Sequence, residues 1–319
     1  MLPECDVVVI GSAMVEIVPA EMGRPLARVE AMVPLPSGSA ANFAGSLAAL
    51  GTSVRLLTRV GADELGRWLV AALAERGIGT DFVAPVAGQL TPVSFAWMDQ
   101  DGAKTFFFYR FPGWCDPMGE LTAEALDPAQ VTAGRLFDFT EATVRNEPLR
   151  SAALAAAGMA RAAGREVCYA VNYRPGAWRE QSVGEIVDVQ RRACAAADIV
   201  LMNSEEAQLV TGKRTTQRAI AAAADLGAAI VVITSGEDGA VVLAGGANHH
   251  VPARRVAVVY DIGAGDTFHA GFVAAHLDGM PPERAARFAC DAAALRISRD
   301  VSRPGPDFDE VAALTERPC

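Results

Sequence analysis

The sequence predicts an α/β protein with a mainly parallel central sheet, helices on both of its faces, and further strands outside it. Residues 5–10, Cys-Asp-Val-Val-Val-Ile, form a continuous apolar run ending at Gly11, which suits a strand buried on both faces. From Thr122 onward strand-like and helix-like segments alternate, the mark of right-handed βαβ units. Two stretches in the first third, broken by Pro and Gly or by a tight turn, read as strands that do not join this alternation.

In chain order, the opening run starts the sheet. It is not a dinucleotide fingerprint, because Gly11 leads into Ser-Ala-Met-Val-Glu and not into further glycines opening a helix; a nicotinamide-dependent dehydrogenase is thereby excluded. The segment to Pro36 is short and broken, with apolar and polar residues alternating over Ala27–Val33, and fits strands outside the main sheet. Pro36 to Gly51 is a glycine turn entering a small-residue helix with Gly51 just past its end. Val54–Thr58 reads as a strand, and Gly61-Ala62-Asp63-Glu64-Leu65-Gly66 opens a helix over Arg67–Glu75. Thr91–Met98 and Lys104–Arg110 flank a turn at Asp99–Gly102, which predicts a hairpin. Strands follow at Arg135–Thr140, Glu166–Val171, Asp198–Met202 and Ala229–Thr234, with helices at Ser151–Ala163, Gly184–Ala197 and Thr216–Leu226 between them. Thr234 to Gly239 is a turn feeding the strand Ala240–Leu243. Val256–Val259 is predicted as a strand, the glycine turn at Gly263 and Gly265 follows, and Phe268, Phe272, Val273 and Leu277 recur at helical spacing. A last helix is predicted over Glu283–Ser298.

The chain has 319 residues, of which 51% are hydrophobic, ample for a buried core. Without repeats or a linker, residues 1–319 are expected to form one domain. A formal net charge of −10 argues against nucleic acid or an anionic membrane surface as partner. No apolar run reaches membrane-spanning length and the start lacks a basic region before an apolar one, so the expected location is the cytoplasm. The six cysteines (Cys5, Cys115, Cys168, Cys194, Cys290 and Cys319) have no metal-ligand spacing and read as reduced thiols. Adjacent His249 and His250 would point to opposite faces of a strand, and His269 and His276 have no carboxylate at ligand spacing; all four read as structural.

Asp261-Ile262-Gly263-Ala264-Gly265-Asp266-Thr267-Phe268 carries the chemistry. Gly263 and Gly265 let the backbone turn and approach a ligand, and the first free N–H groups of the helix point into that turn, a place that attracts phosphate. An acid at Asp266 has a purpose there if it takes the proton of a hydroxyl attacking the phosphate. Asp-Thr at a helix start is also an ordinary cap.

This run, followed by a small-residue helix, resembles the C-terminal signature of the ribokinase (PfkB-type) carbohydrate kinases. The resemblance implies a ribokinase-like three-layer sandwich with a mainly parallel central sheet and a small β-sheet lid, formed by about 12–36 and 88–113. It implies Asp266 as catalytic base and Gly263, Ala264 and Gly265 as the anion hole. Ile262 replaces the family's usual Thr, which leaves the anion hole intact and weakens the case for a monovalent cation beside it. Gly38 and Asn42 match the N-terminal signature that contacts the sugar, with Ser37 in place of its first glycine, and Glu16 stands where many relatives have an Asp gripping sugar hydroxyls. Asn203 and Glu206 match an Asn-x-x-Glu element that holds Mg²⁺ largely through water. Thr234, Gly236 and Gly239 match a turn around the ATP phosphates and ribose, while Ala289 and Ala293 by analogy border the adenine.

Tyr109-Arg110 and Asn172-Tyr173-Arg174, with Trp178 beyond, resemble elements of relatives acting on 2-keto-3-deoxygluconate and similar sugar acids. Phe111-Pro112-Gly113-Trp114-Cys115 departs from those relatives. The expected activity is therefore ATP- and Mg²⁺-dependent phosphorylation of a primary hydroxyl on a sugar or keto-deoxy sugar acid. A neutral sugar such as fructose or ribose, or a nucleoside, is the alternative substrate, and a non-catalytic sugar- or nucleotide-binding protein the alternative of another class. An apolar lid face would favour a homodimer.

Overall fold

The computed structural model describes residues 4–21, 23–98, 104–109, 116–178, 181–259, 263–299 and 305–317. Its strands are β1 (Cys5–Ile10), β2 (Met14–Pro19), β3 (Met32–Ser37), β4 (Val54–Gly61), β5 (Val83–Val86), β6 (Val93–Met98), β7 (Lys104–Tyr109), β8 (Gly134–Thr140), β9 (Glu166–Ala170), β10 (Ile199–Asn203), β11 (Ile230–Thr234), β12 (Ala240–Ala244) and β13 (Ala247–Val251). The helices are α1 (Ser39–Ala49), α2 (Glu64–Glu75), α3 (Pro128–Val131), α4 (Glu141–Val144), α5 (Leu149–Ala162), α6 (Val183–Ala195), α7 (Ser204–Thr211), α8 (Thr216–Ala223), α9 (Ala264–Leu277), α10 (Pro282–Ile297) and α11 (Phe308–Thr315).

Nine strands form one sheet in the order β13-β12-β11-β10-β9-β8-β1-β4-β5. All neighbours pair parallel except along β11-β12-β13, where an antiparallel hairpin closes the edge. Side chains alternate between two core layers, as the strand period requires. Val7, Val9, Leu136, Cys168 and Leu201 face α1, α9 and α10, packing with Phe43, Leu47, Phe272 and Phe288. Val8, Ile10, Phe137, Phe139, Tyr169 and Met202 face the opposite layer, with Ala152 and Ala156 of α5 and Ile186 of α6. This is why the strands read as unbroken apolar runs: both faces are covered. The alanine-rich helices lie close, and a Cβ on Gly271 of α9 would stand only 3.0 Å from Ala289 Cα of α10.

A second, separate sheet has the order β3-β2-β6-β7, with β2 and β6 parallel and the outer pairs antiparallel. Its edge strand β7 leaves Phe106, Phe107 and Phe108 each about half exposed. It is tied to the main body through Asp63, which caps α2 by accepting from the Gly66 N–H at 2.7 Å and also accepts from the Thr91 N–H at 2.8 Å and the Thr91 hydroxyl at 2.7 Å. A Cβ at Gly66 would lie 2.1 Å from the Gly61 carbonyl, which explains the Gly-x-Asp-x-x-Gly spacing as local geometry.

Two expected strands differ. The alternation over Ala27–Val33 begins in a 3-10 turn at Leu26–Arg28, and strand starts only at Met32. Val256–Val259 is not a strand. The chain there is held by α10 instead: Arg254 Nε reaches Asp291 Oδ1 at 2.7 Å and the Val259 N–H donates to the Ile297 carbonyl at 2.8 Å.

Candidate active site

The residues singled out in the sequence gather mainly at the C-terminal ends of the parallel strands, the usual ligand side of an open α/β sheet. Gly263 caps α9 in the left-handed region (φ +85°), and its carbonyl accepts from the Thr267 N–H at 2.9 Å. Ala264, Gly265 and Asp266 form the first turn, where backbone N–H groups have no intrahelical acceptor. Gly265 is helical and exposed, and a Cβ there would meet nothing within 4 Å. Its missing side chain answers neither strain nor crowding and leaves an open cradle. Asp261 and Ile262 lie outside the described residues.

Asp266 is partly buried, and loss of hydration pushes its carboxyl above the usual carboxylate range. Arg174 first, then His269, then a hydrogen bond from the Asn42 side chain oppose that rise without cancelling it, while Asp138 adds to it. The fold thus brings Asn42 from α1, Arg174 from the loop after β9 and Asp266 of α9 to one place.

Arg174 also acts on Glu206, which is 6% exposed. Glu206 Oε1 accepts the Tyr173 N–H at 2.7 Å, Oε2 accepts the Asn203 N–H at 2.8 Å, and Asn203 Oδ1 accepts the Glu206 N–H at 2.8 Å. The last two bonds make a reciprocal capping box at the start of α7. Burial raises the Glu206 carboxyl, with the two N–H donors and Arg174 opposing and Glu141 reinforcing. Each of these three side-chain oxygens takes one backbone donor and keeps lone-pair capacity. That suits a hydrated Mg²⁺ held through water better than a cage of directly bound carboxylates.

Thr234 is the register partner of Asn203 on the neighbouring strand end. After it, the Ser235 N–H donates to the Gly239 carbonyl at 2.7 Å and closes the turn. Gly239 (φ +89°) is demanded by the fold, since a Cβ would lie 2.1 Å from the Val251 carbonyl, whereas Gly236 faces open space. Gly38 (φ +112°) caps α1, and a Cβ there would lie 2.3 Å from the Ser12 carbonyl. Glu16 lies on β2 opposite Ser94, bonded to Ser37; burial raises its carboxyl.

Ala289 is completely buried against Gly271, where α10 packs on α9. Ala293 remains partly buried. Arg110 and Phe111–Cys115 lie outside the described residues, as does the side chain of Tyr109.

Sequence reasoning missed two sets of pairings. Trp178 is buried, and its indole Nε1–H donates to Glu141 Oε1; Glu141, 1% exposed, also accepts from Arg145 at 3.0 and 2.8 Å. The second corrects the statement that His269 and His276 lack acidic partners. His269 Nε2 lies 2.8 Å from Asp138 Oδ2, and His276 Nε2 lies 2.9 Å from Glu166 Oε2. The available signal was Asp138 itself, an acid inside the apolar run Leu136-Phe137-Asp138-Phe139.

Residues 5–306 match the pattern of the pfkB family carbohydrate kinases. Fructokinase-1 of Oryza sativa subsp. japonica is 33% identical over 208 residues, 65% of this chain and 62% of the relative. The match therefore spans less than two thirds of that relative's length. Fructokinase of Klebsiella pneumoniae is 29% identical over 282 residues, 87% of each chain. The crystal structure of a PfkB protein from Polaromonas sp. JS666 superposes with a TM-score of 0.85 at 27% identity, over 98% of this chain and 100% of that one.

Proposed function

The chain belongs to the pfkB family of carbohydrate kinases, and from that premise we propose that it transfers the γ-phosphoryl group of ATP to a primary hydroxyl of a sugar. The observation that carries the reading is the meeting of Asp266, Asn42 and Arg174 at the open N-terminus of α9. Asp266 takes the proton from the attacking hydroxyl as its oxygen bonds to the γ-phosphorus and the bridging bond to ADP breaks. Asn42 holds the carboxylate in place. The N–H groups of Ala264 and Gly265 face the charge on the transferring group, and the absent Cβ of Gly265 lets that group come close. Asn203 and Glu206 would hold a hydrated Mg²⁺, which supplies charge neutralisation at the phosphates. Thr234, Gly236 and Gly239 would border the nucleotide and Glu16 and Gly38 the sugar.

The sugar we favour is a neutral ketohexose. The Oryza sativa and Klebsiella pneumoniae relatives are named fructokinases. A keto-deoxy sugar acid is the second reading, favoured by the presence of Arg174 in the cleft.

The test is ATP consumption with Mg²⁺ against fructose, ribose, 2-keto-3-deoxygluconate and nucleosides, with Asp266→Asn in parallel. Turnover with fructose, reduced by about 10²–10⁴-fold in the variant, is the expected result. Turnover with the sugar acid alone would move the assignment to the second reading. Full activity in Asp266→Asn would sink the mechanism, and ATP binding without turnover of any compound would favour a binding protein.

A further inference from the structure

Asp138, Cys168 and His269 come from three separate elements, and the reaction above uses none of them. Asp138, in the middle of β8, and its register partner Cys168 on β9 are completely buried. His269 of α9, 5% exposed, faces both, with Nε2 at 2.8 Å from Asp138 Oδ2 and 3.4 Å from Cys168 Sγ. The three donor groups lie within 4.8 Å of one another. Stacking on Phe43 of α1, with centroids 3.9 Å apart, fixes the plane of the imidazole. Close as Nε2 stands, neither carboxylate oxygen of Asp138 has a hydrogen-bond partner among the described residues. A carboxylate taken out of water is costly unless it is hydrogen-bonded, paired or bound to a metal.

We propose that these three side chains form a buried site for a divalent transition-metal cation, zinc before others. An imidazole nitrogen, a thiolate sulfur and a carboxylate are zinc's donor types, whereas magnesium keeps to oxygen and water, so this site differs in kind from the one expected at Asn203 and Glu206. Both oxygens of Asp138 are open to bonding, and with Cys168 Sγ and His269 Nε2 they make four donor atoms, the number of a closed structural site. Ligand atoms bonded to one zinc at about 2.0–2.3 Å stand roughly 3–4 Å apart. The spacing of Nε2 and Sγ already fits, and that of Nε2 and Oδ2 needs to open only slightly. One carboxylate and one thiolate balance a dication, so the interior is left without net charge. Burial first, and Asp138 next, hold the Cys168 thiol well above its ordinary range, and a cation entering there displaces its proton. The donors are closed to solvent, so the cation is taken up as the chain folds. Bound, it joins two middle strands of the sheet to α9 three residues beyond Asp266. The site does not depend on which reaction the cleft performs.

The test is the metal content of the whole chain, made without a histidine tag in zinc-supplemented medium and dialysed against EDTA. Elemental mass spectrometry should find about one zinc per chain, reduced at least about tenfold in Cys168→Ala and in Asp138→Asn. Protein made with cobalt in place of zinc should show a thiolate-to-cobalt charge-transfer band in the near ultraviolet, lost in Cys168→Ala. Zinc that is absent, removed by the dialysis, or retained equally in Cys168→Ala would overturn the site. Should the variants fail to fold, X-ray absorption by the wild-type protein decides: one sulfur and one imidazole nitrogen with oxygen around the metal support the site, and oxygen alone or several sulfurs overturn it.

Discussion

Gly38 and Gly265 are both small residues beside the cleft, and different forces keep them small. Gly38 is fixed by backbone: its φ of +112° is foreign to other residues, and a Cβ would run into the Ser12 carbonyl at 2.3 Å. Gly38→Ala should therefore cost roughly 2–4 kcal/mol of stability, from the strained dihedral and the overlap together. Gly265 is helical and uncrowded, so Gly265→Ala should leave urea unfolding unchanged or shift it up by as much as about 1 kcal/mol. Its ATP turnover should fall about tenfold or more, because the methyl group fills the space the phosphoryl group approaches. Full turnover in Gly265→Ala would show that the cradle is unused. At this scale the sequence was informative wherever the cause is local: the glycine turn and the acid after it stand within eight residues. It was silent on the partner of His269, since β8 and α9 meet only in the folded chain.

The loop after β9 shows how separate elements hold one side chain. Asn172 sits at φ +36°, a conformation non-glycine residues seldom adopt, and the chain beyond it is fastened twice. The Tyr173 N–H is held by Glu206 at the start of α7, and the Trp178 indole by Glu141 at the start of α4. Arg174 lies between the two fastenings. In Trp178→Phe the ring still fills its place, Glu141 keeps both bonds from Arg145, and one hydrogen bond is lost, worth about 1 kcal/mol. The expected outcome is a small fall in thermal stability with a severalfold drop in kcat, as Arg174 loses a fixed position beside Asp266. Unchanged kcat would mean that Glu206 alone holds the loop. The resemblance implied an ion site at Asn203 and Glu206, and the capping box the two form leaves that role open. The sequence's misreading of Val256–Val259 has an element-scale cause: the run's partners are on α10, through Arg254 to Asp291 and the Val259 N–H to the Ile297 carbonyl, and no local period encodes them.

For the whole molecule, the alternation of apolar strands and helices was enough to give layers, because it follows from period and burial. The order β8-β1-β4, which sets Asp138 of β8 across from α9, depends on pairings that no single segment encodes. Glu16, Asp138, Glu206 and Asp266 all have carboxyls raised by burial. Such an acid binds its proton more tightly folded than unfolded. It therefore weakens the fold when pH stands above the folded value, and this cost fades as pH falls through that value towards the unfolded one. Asp6 and Asp63, lowered by hydrogen bonds to Ser53 and by the Thr91 and Gly66 donors against a desolvation that works the other way, contribute the opposite slope: stability present at neutral pH and lost in acid. A cation or a hydroxyl proton reaching these carboxyls would offset that cost. Asp266→Asn isolates one share of it, because the introduced amide's oxygen can still accept from Asn42 while the charge is gone. The melting temperature of that variant should exceed the wild type's by roughly a couple of degrees at about pH 8, and the gap should narrow as pH falls through the raised folded value towards the ordinary 3.8, below which the wild-type carboxyl is protonated in both states. Scanning calorimetry across that range is the check. A gap that is absent at about pH 8, or that persists undiminished in acid, would place the effect in packing and remove the argument that the base is held at the expense of the fold.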